Sequence, residues 1–253
     1  MDNITRYIGI GDMHIPYHIN LVPIINRVRA FKPHKIVIAG DAVDLEEVSS
    51  FFAKKRHKIG IDAVYKNTRA AFDIFNWFLD AIHEACPMSE IVYIPGNHED
   101  RLTAIQESEL PQFEEDALGL HKLVKASKRS YLTIKSLGDS YRLGKVHFIH
   151  GENYGGDTFA KKTAIACHRN VRVWHNHTNQ SYASFSPLDS KDIMEVKGIG
   201  CLCKKNPEYM IGHPNRWINS FLEGYVFPDG SYNDYTVNVI NGRFIAPDGK
   251  LYK

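Results

Sequence analysis

Cysteine is scarce in this chain, and the little there is does not assemble into a motif. Cys86, Cys167, Cys201 and Cys203 are the four among 253 residues, and their spacing makes neither a zinc ribbon nor a C-x-x-C redox pair. They read as buried or reduced thiols, with Cys201 and Cys203 expected on opposite faces of a strand rather than paired with each other. Long hydrophobic runs are missing as well. None approaches the ~20 residues that span a bilayer, and M-D-N-I-T-R-Y-I-G-I at the start lacks the regions of a secretory signal. The expectation is a cytoplasmic chain with no membrane partner. No internal repeat or low-complexity linker breaks the sequence, so one domain over 1–253 is expected, β-rich from about residue 180.

Charge of one sign is also lacking. The net charge is +2, too small to mark a nucleic-acid binder by itself. Two local basic runs stand out, Lys54, Lys55, Arg56 and Lys58, then Lys122, Lys125, Lys128 and Arg129. They read as solvated faces, with phosphate contact as a second use. What the chain has in quantity is histidine, 13 residues, which directs attention to metal binding and acid–base chemistry.

The first half alternates strand-like and helix-like patterns. Tyr7–Ile10, Lys35–Ala39 and Ile91–Ile94 are short apolar runs ending at turn residues. Between them lie a helix from about Leu21 to Phe31, with Asn20 placed to cap it, and one from about Ile61 to Ala85. Cys86-Pro87 ends the second, because proline disfavours helical geometry in the residue before it. The order β-α-β-α-β predicts an α/β fold with a mainly parallel sheet. The stretch from about Glu99 to Lys128 reads as charged helices. Val146–Ile149 and Val171–Trp174 read as strands around a helix at about Thr158–His168, and the last third as short strands between Pro-Asp-Gly and Asn-Gly turns.

Chemistry collects at the strand ends. After the first strand come Asp12 and His14; after the second, Asp41 and Asp44; after the third, Asn97, His98, Glu99 and Asp100; after the later ones, His150, then His175 and His177. In an open α/β sheet these ends share the edge where ligands bind. Each residue alone has an ordinary reading as a turn, cap or core histidine. Together they supply carboxylate, amide and imidazole donors without thiolate, a set suited to Mn²⁺, Fe²⁺ or Zn²⁺.

In their order, D-M-H (Asp12–His14), G-D-A-V-D (Gly40–Asp44), G-N-H-E-D (Gly96–Asp100), H-G (His150-Gly151) and H-N-H (His175–His177) resemble the calcineurin-like metallophosphoesterases, in particular the compact bacterial and bacteriophage type. The resemblance implies a four-layer α/β/β/α sandwich of two mixed sheets, and two divalent metal ions, Mn²⁺ foremost, with Fe, Zn or Ni as alternatives. It implies Asp12, His14 and His177 on one metal, Asn97, His150 and His175 on the other, and Asp41 bridging. His175 then faces one ion and His177 the other, with Asn176 turned away. His98 would be the general acid, with Asp44 orienting its ring, and a metal-activated hydroxide would attack phosphorus.

Two departures stand out. Trp174 precedes the histidine pair where the family usually has glycine, and reads as a packed core indole or as a wall of the site. Leu45 and Glu46 follow Asp44 where the Ser/Thr phosphatase branch carries arginine and glycine, which weakens the case for a phosphoprotein phosphatase. The complete ligand set and the two basic runs make hydrolysis of phosphodiesters in nucleic acid or nucleotides the first expectation, with Arg101, Tyr17, His18, Tyr154 and Arg169 as substrate contacts. Phosphomonoester hydrolysis is the alternative, and a non-catalytic scaffold is the third. Asn215, Arg216 and Trp217 read as a structural turn, with a substrate wall as the other reading.

Overall fold

The structure is a computed structural model that describes residues 3–49, 60–108, 119–206 and 215–253. The basic run Lys54–Lys58 lies outside them. Strands β1 (Thr5–Ile10), β2 (Lys35–Ala39) and β3 (Glu90–Ile94) are each buried over their last four residues. Such near-continuous apolar runs suit strands covered on both faces. They pair in parallel, β1 with β2, β2 with β3, and β3 with β4 (Leu132–Ile134). On the far side of β1, β10 (Ser220–Val226) and β11 (Tyr232–Asn238) add antiparallel strands. The first sheet is thus six-stranded and mixed, in the order β11-β10-β1-β2-β3-β4. The second runs β5-β6-β7-β9-β8, from β5 (Tyr141–Leu143), β6 (Val146–Ile149), β7 (Asn170–Val173), β8 (Gln180–Ser186) and β9 (Asp189–Gly198).

Strand alternation sorts the apolar side chains into the spaces between layers. Ile8, Ile36 and Ile38 face α1 (Val22–Phe31) and α2 (Ile61–Ala85), packing with Ile24, Val28, Phe72, Phe75 and Phe78. Their neighbours Tyr7, Val37 and Ala39 face the other way, onto Val146, Phe148 and Trp174 of the second sheet's side. Outside that sheet Val171, Val173 and Val196 hold Phe159, Ala160 and Ala164 of helix Phe159–Cys167. Helix, sheet, sheet, helix is the four-layer sandwich. No helix among the described residues is long and apolar enough to cross a membrane.

Local signals account for the boundaries. Helix α2 stops at Ala85, and Cys86 before Pro87 has φ −149° and ψ 84°, outside the helical region. Asn20 Oδ1 accepts from Val22 N–H at 3.1 Å, while Leu21 occupies the cap position. Two expectations fail. Arg129 is no solvated cation of a basic run: it is 5% exposed and grips Asp80 with three guanidinium contacts of 3.1, 2.9 and 2.8 Å, besides the Val124 carbonyl. Cys201 and Cys203 do not diverge, because residues two apart in an extended chain share a face; both are buried and free of disulfide.

Candidate metal centre

The ends of β1, β2, β3, β6 and β7 converge on one cluster. Asp12 (φ 48°), His14 (47°), Asp41 (45°), His175 (72°) and His177 (57°) all adopt left-handed backbone. Non-glycine residues rarely do so, and such strain concentrates at functional sites. Here it turns side chains off the strand ends into one point. Gly96 serves the same convergence by having no side chain: a Cβ there would lie 2.3 Å from Asp41 Oδ1 and 2.9 Å from His150 Nε2. At Gly40 (φ 81°), it would lie 2.1 Å from His150 Nδ1.

Asp41 is central. Its Oδ2 lies 3.3 Å from His150 Nε2, 3.7 Å from His98 Nε2 and 3.8 Å from His14 Nε2. Asp12, His14 and a ring nitrogen of His177 gather on one side, Asp41, His150 and His175 on the other, each set within 4.8 Å. Asn97 Oδ1 joins the second set at 3.0 Å from His150 Nε2. Two histidines have their outer nitrogen anchored. His14 Nδ1–H donates to Asp44 Oδ1 at 2.8 Å, and His150 Nδ1–H to the Ala39 carbonyl at 3.1 Å. Both Nε2 atoms then point inward, the arrangement of metal-ligating histidines. Asn176 turns away, its Nδ2 donating to the Tyr154 carbonyl at 2.8 Å.

Electrostatics show what such a cluster demands. Burial raises the Asp12 carboxyl to about 7. At Asp41 the burial penalty is outweighed by the imidazoles of His150, His98 and His14, which hold it well below the usual range. Burial disfavours charge on His14 and His150 too, yet the Asp44 and Asp41 carboxylates lift them to about 9 and 10. Burial lowers His175 and His177, reinforced by their charged neighbours. Buried carboxylates thus take their positive charge from protons on the imidazoles, the place a divalent cation would fill. The donors fit one: His14 Nε2 faces His177 Nε2 at 3.1 Å, while Asp12 Oδ1 is buried without a hydrogen-bond partner.

The expected partnership of Asp44 with His98 takes another form. The Asp44 carboxylate binds His14, 2.8 Å away against 3.5 Å for His98. His98 Nδ1–H is held by the Asp44 main-chain carbonyl at 2.5 Å. Arg101 lies along the same ring, its two terminal nitrogens 2.9 Å from Nδ1 and from Nε2, and also donates to the Asp44 carbonyl. Burial, with the charges of His14 and Arg101, lowers His98 to about 4 against the pull of Asp41. The ring is therefore neutral near pH 7.

Of the other contacts expected, Tyr17 Oη donates to Glu46 Oε2 at 2.7 Å, and His18 pairs along the backbone with Cys203. Tyr154 packs against the outer core cluster, and Arg169 is exposed, bonded to its neighbour's carbonyl. Trp217 stands edge-on to His177, ring centres 4.3 Å apart, with Asn215 holding its backbone N–H; Arg216 pairs with Asp157 in solvent. A cleft of about 770 Å³ between β11 and the C-terminal residues 240–251 contains none of the cluster residues.

Glu99 is the residue whose role the sequence did not disclose. From the first turn of α3 (Asn97–Ser108) its buried carboxylate accepts from the N–H groups of Asp41 (3.0 Å), Val43 (3.1 Å) and Gly96 (2.7 Å). It ties the loop after β2 to the loop after β3. Burial, and the Asp41 charge, raise its pKa. Glu99→Gln keeps the shape but sets an amide N–H against a backbone N–H. Urea denaturation of the metal-free variant should show a loss of about 1–3 kcal/mol. A change within about 0.5 kcal/mol, the range of ordinary surface changes, would remove Glu99 from this role.

The family model described as calcineurin-like phosphoesterase matches residues 5–213. No curated protein matches the sequence. Among solved structures, the chain is similar to Vps29 from Entamoeba histolytica in complex with zinc (10% identity, TM-score 0.48, covering 95% of this chain and 96% of that one). It is also similar to the phosphopantetheinyl hydrolase of Mycobacterium tuberculosis (12%, TM-score 0.37, 90% and 98%). A third is a conserved protein of Streptococcus pneumoniae described as a predicted phosphoesterase (11%, TM-score 0.34, 93% and 99%). At such values neither activity nor residue roles pass from these structures to this chain.

Proposed function

We propose, from the premise that this chain belongs to the calcineurin-like phosphoesterase family, that it hydrolyses phosphodiesters of nucleotides or nucleic acid at the strand-end cluster. The observation that carries this reading is the position of Asp41, one carboxylate within 3.8 Å of His14, His98 and His150 together. Asp12, His14 and His177 would hold one divalent cation and Asn97, His150 and His175 a second, with Asp41 between them. Bound there, such ions lower the pKa of water and polarise phosphoryl oxygens.

The chain's own groups do the rest. Asp44 fixes the His14 tautomer, and the Ala39 carbonyl fixes that of His150. Arg101, aligned with the His98 ring, is placed to bind a phosphoryl oxygen while keeping its bond to the Asp44 carbonyl. His98, neutral in the free protein, gains a proton when the phosphoryl anion adds negative charge beside it, and passes it from Nε2 to the leaving oxygen. A diester suits the surroundings better than a monoester. Glu46, bonded to Tyr17, lies two residues after Asp44, whose carbonyl holds His98 and Arg101, and a carboxylate repels a dianion more than a monoanion.

Hydrolysis of bis-p-nitrophenyl phosphate, p-nitrophenyl phosphate and single-stranded DNA by the Mn²⁺-loaded protein tests the reading. Turnover of the diester above the monoester is expected; turnover of none overturns it, and a monoester preference replaces the substrate class. His98→Asn should lower kcat by about 10²–10⁴-fold with metal content unchanged. Undiminished turnover in that variant would remove His98 as the proton donor.

A further inference from the structure

Next to the Asp12–His14–His177 set lies a second donor cluster, which shares His177 with it and adds two thiols that the proposed hydrolysis does not use. A ring nitrogen of His177 and the sulfurs of Cys201 and Cys203 lie within 4.8 Å of one another, and all three residues are buried. They come from separate segments. His177 follows β7, whereas the cysteines lie between β9 and β10, where Cys201 bridges to Asn219 and Cys203 to His18.

Two thiols beside an imidazole can be packing alone, since free cysteine behaves as a small hydrophobe. Three observations point further. The Nδ1 of His177 has no hydrogen-bond partner although the residue is 7% exposed. The Asn219 side-chain amide lies 3.6 Å from Cys201 Sγ and also donates to the carbonyls of Cys201 (3.2 Å) and Cys203 (2.6 Å). It thereby fixes the segment and offers an N–H to sulfur, the kind of outer contact that orients and tunes a metal ligand. Third, Leu202 N–H, between the two cysteines, donates to the Asp12 carbonyl at 3.0 Å. The thiol segment and the strand-end cluster are held in one frame.

We propose that His177, Cys201 and Cys203 form a thiolate-bearing site for a soft, zinc-class cation, sharing the His177 ring with the harder donor set beside it. Two sulfurs and one imidazole select Zn²⁺ or Cd²⁺ over Mn²⁺ or Mg²⁺. Tetrahedral zinc with such ligands sets its donors about 3.5–3.8 Å apart, so any two of the three groups need approach each other by no more than about 1.3 Å from their 4.8 Å limit. On binding, each thiol releases its proton to solvent and donates a sulfur lone pair, with no change of oxidation state. Because one ring serves both sets, a soft ion here competes for His177 with an ion held by Asp12 and His14.

Titrating the reduced full chain with Cd²⁺ tests this without reading esterase activity, so it stands or falls apart from the proposed hydrolysis. Near-ultraviolet thiolate-to-cadmium charge-transfer absorption should appear and persist in Cys167→Ser, which removes the exposed thiol. It should vanish in Cys201→Ser/Cys203→Ser. Absence of the band in the wild-type chain, or its survival in the double variant, overturns the proposal. Should the double variant fail to fold, cadmium NMR of the Cys167→Ser protein decides: a resonance in the two-thiolate range supports the site, and resonances only in the oxygen–nitrogen range refute it.

Discussion

Replacing Asp41 by asparagine is expected to empty both halves of the strand-end centre and to lower phosphoester turnover by at least ~100-fold. Loss of an outer partner of a metal ligand already costs ~10–100-fold, and Asp41 stands between the two ligand sets with contacts to each. An amide keeps the volume and one oxygen but removes the charge that both cations would share. Metal analysis of the purified variant checks the claim, and two fully occupied ions would contradict it. A second readout needs no metal. His150 and His14 reach about 10 and 9 against the cost of burial, with the Asp41 charge among the causes. In metal-free Asp41→Asn their imidazole protons should therefore titrate at lower pH in NMR. Unmoved titrations would show that Asp41 does not organise the cluster.

The second large effect concerns stability. Trp174→Ala should cost about 3–5 kcal/mol, the range for deleting a large aromatic from a packed interior. For a chain of this size that is a melting temperature lower by roughly 10 °C. The indole is fully buried between the sheets, stacked near Phe148 with ring centres 6.5 Å apart. Its space exists because two residues of the first strand region lack side chains. A Cβ on Gly9 would lie 3.0 Å from the indole, and one on Gly11 2.5 Å. This explains how a tryptophan can precede the histidine pair: room that a side chain on β1 would fill is ceded to it. The two positions should therefore be coupled. Gly9→Ala should destabilise the wild-type chain but be neutral or stabilising in Trp174→Ala, where it fills part of the cavity, with an interaction energy of at least about 0.5 kcal/mol. Additive effects would mean that the glycines and the indole do not share that space. Because Trp174 N–H bonds the His150 carbonyl and His175 N–H bonds Asp12 Oδ2, metal affinity should fall together with stability.

Much of this was open to reading from the chain alone. The apolar runs of β1, β2 and β3 and the amphipathic span Ile61–Ala85 appear where their patterns place them, because local periodicity and a proline stop are properties of neighbours in sequence. The order of carboxylates, amide and imidazoles at successive strand ends likewise told which residues would meet, since parallel strands deliver their ends to one edge. What the sequence could not settle were partnerships between residues distant along it. That Asp44 spends its carboxylate on His14 and its carbonyl on His98 depends on how two loops lie. So does the hold of Glu99 on three backbone N–H groups, and the burial of Arg129 against Asp80. The thiols of Cys201 and Cys203 acquire a neighbour in His177 only when the segment after β9 folds against the end of β7. The sequence determined the donors and the edge on which they gather. The tertiary structure decided which donor faces which, because hydrogen bonds and steric room are set by separations in space that no local pattern encodes.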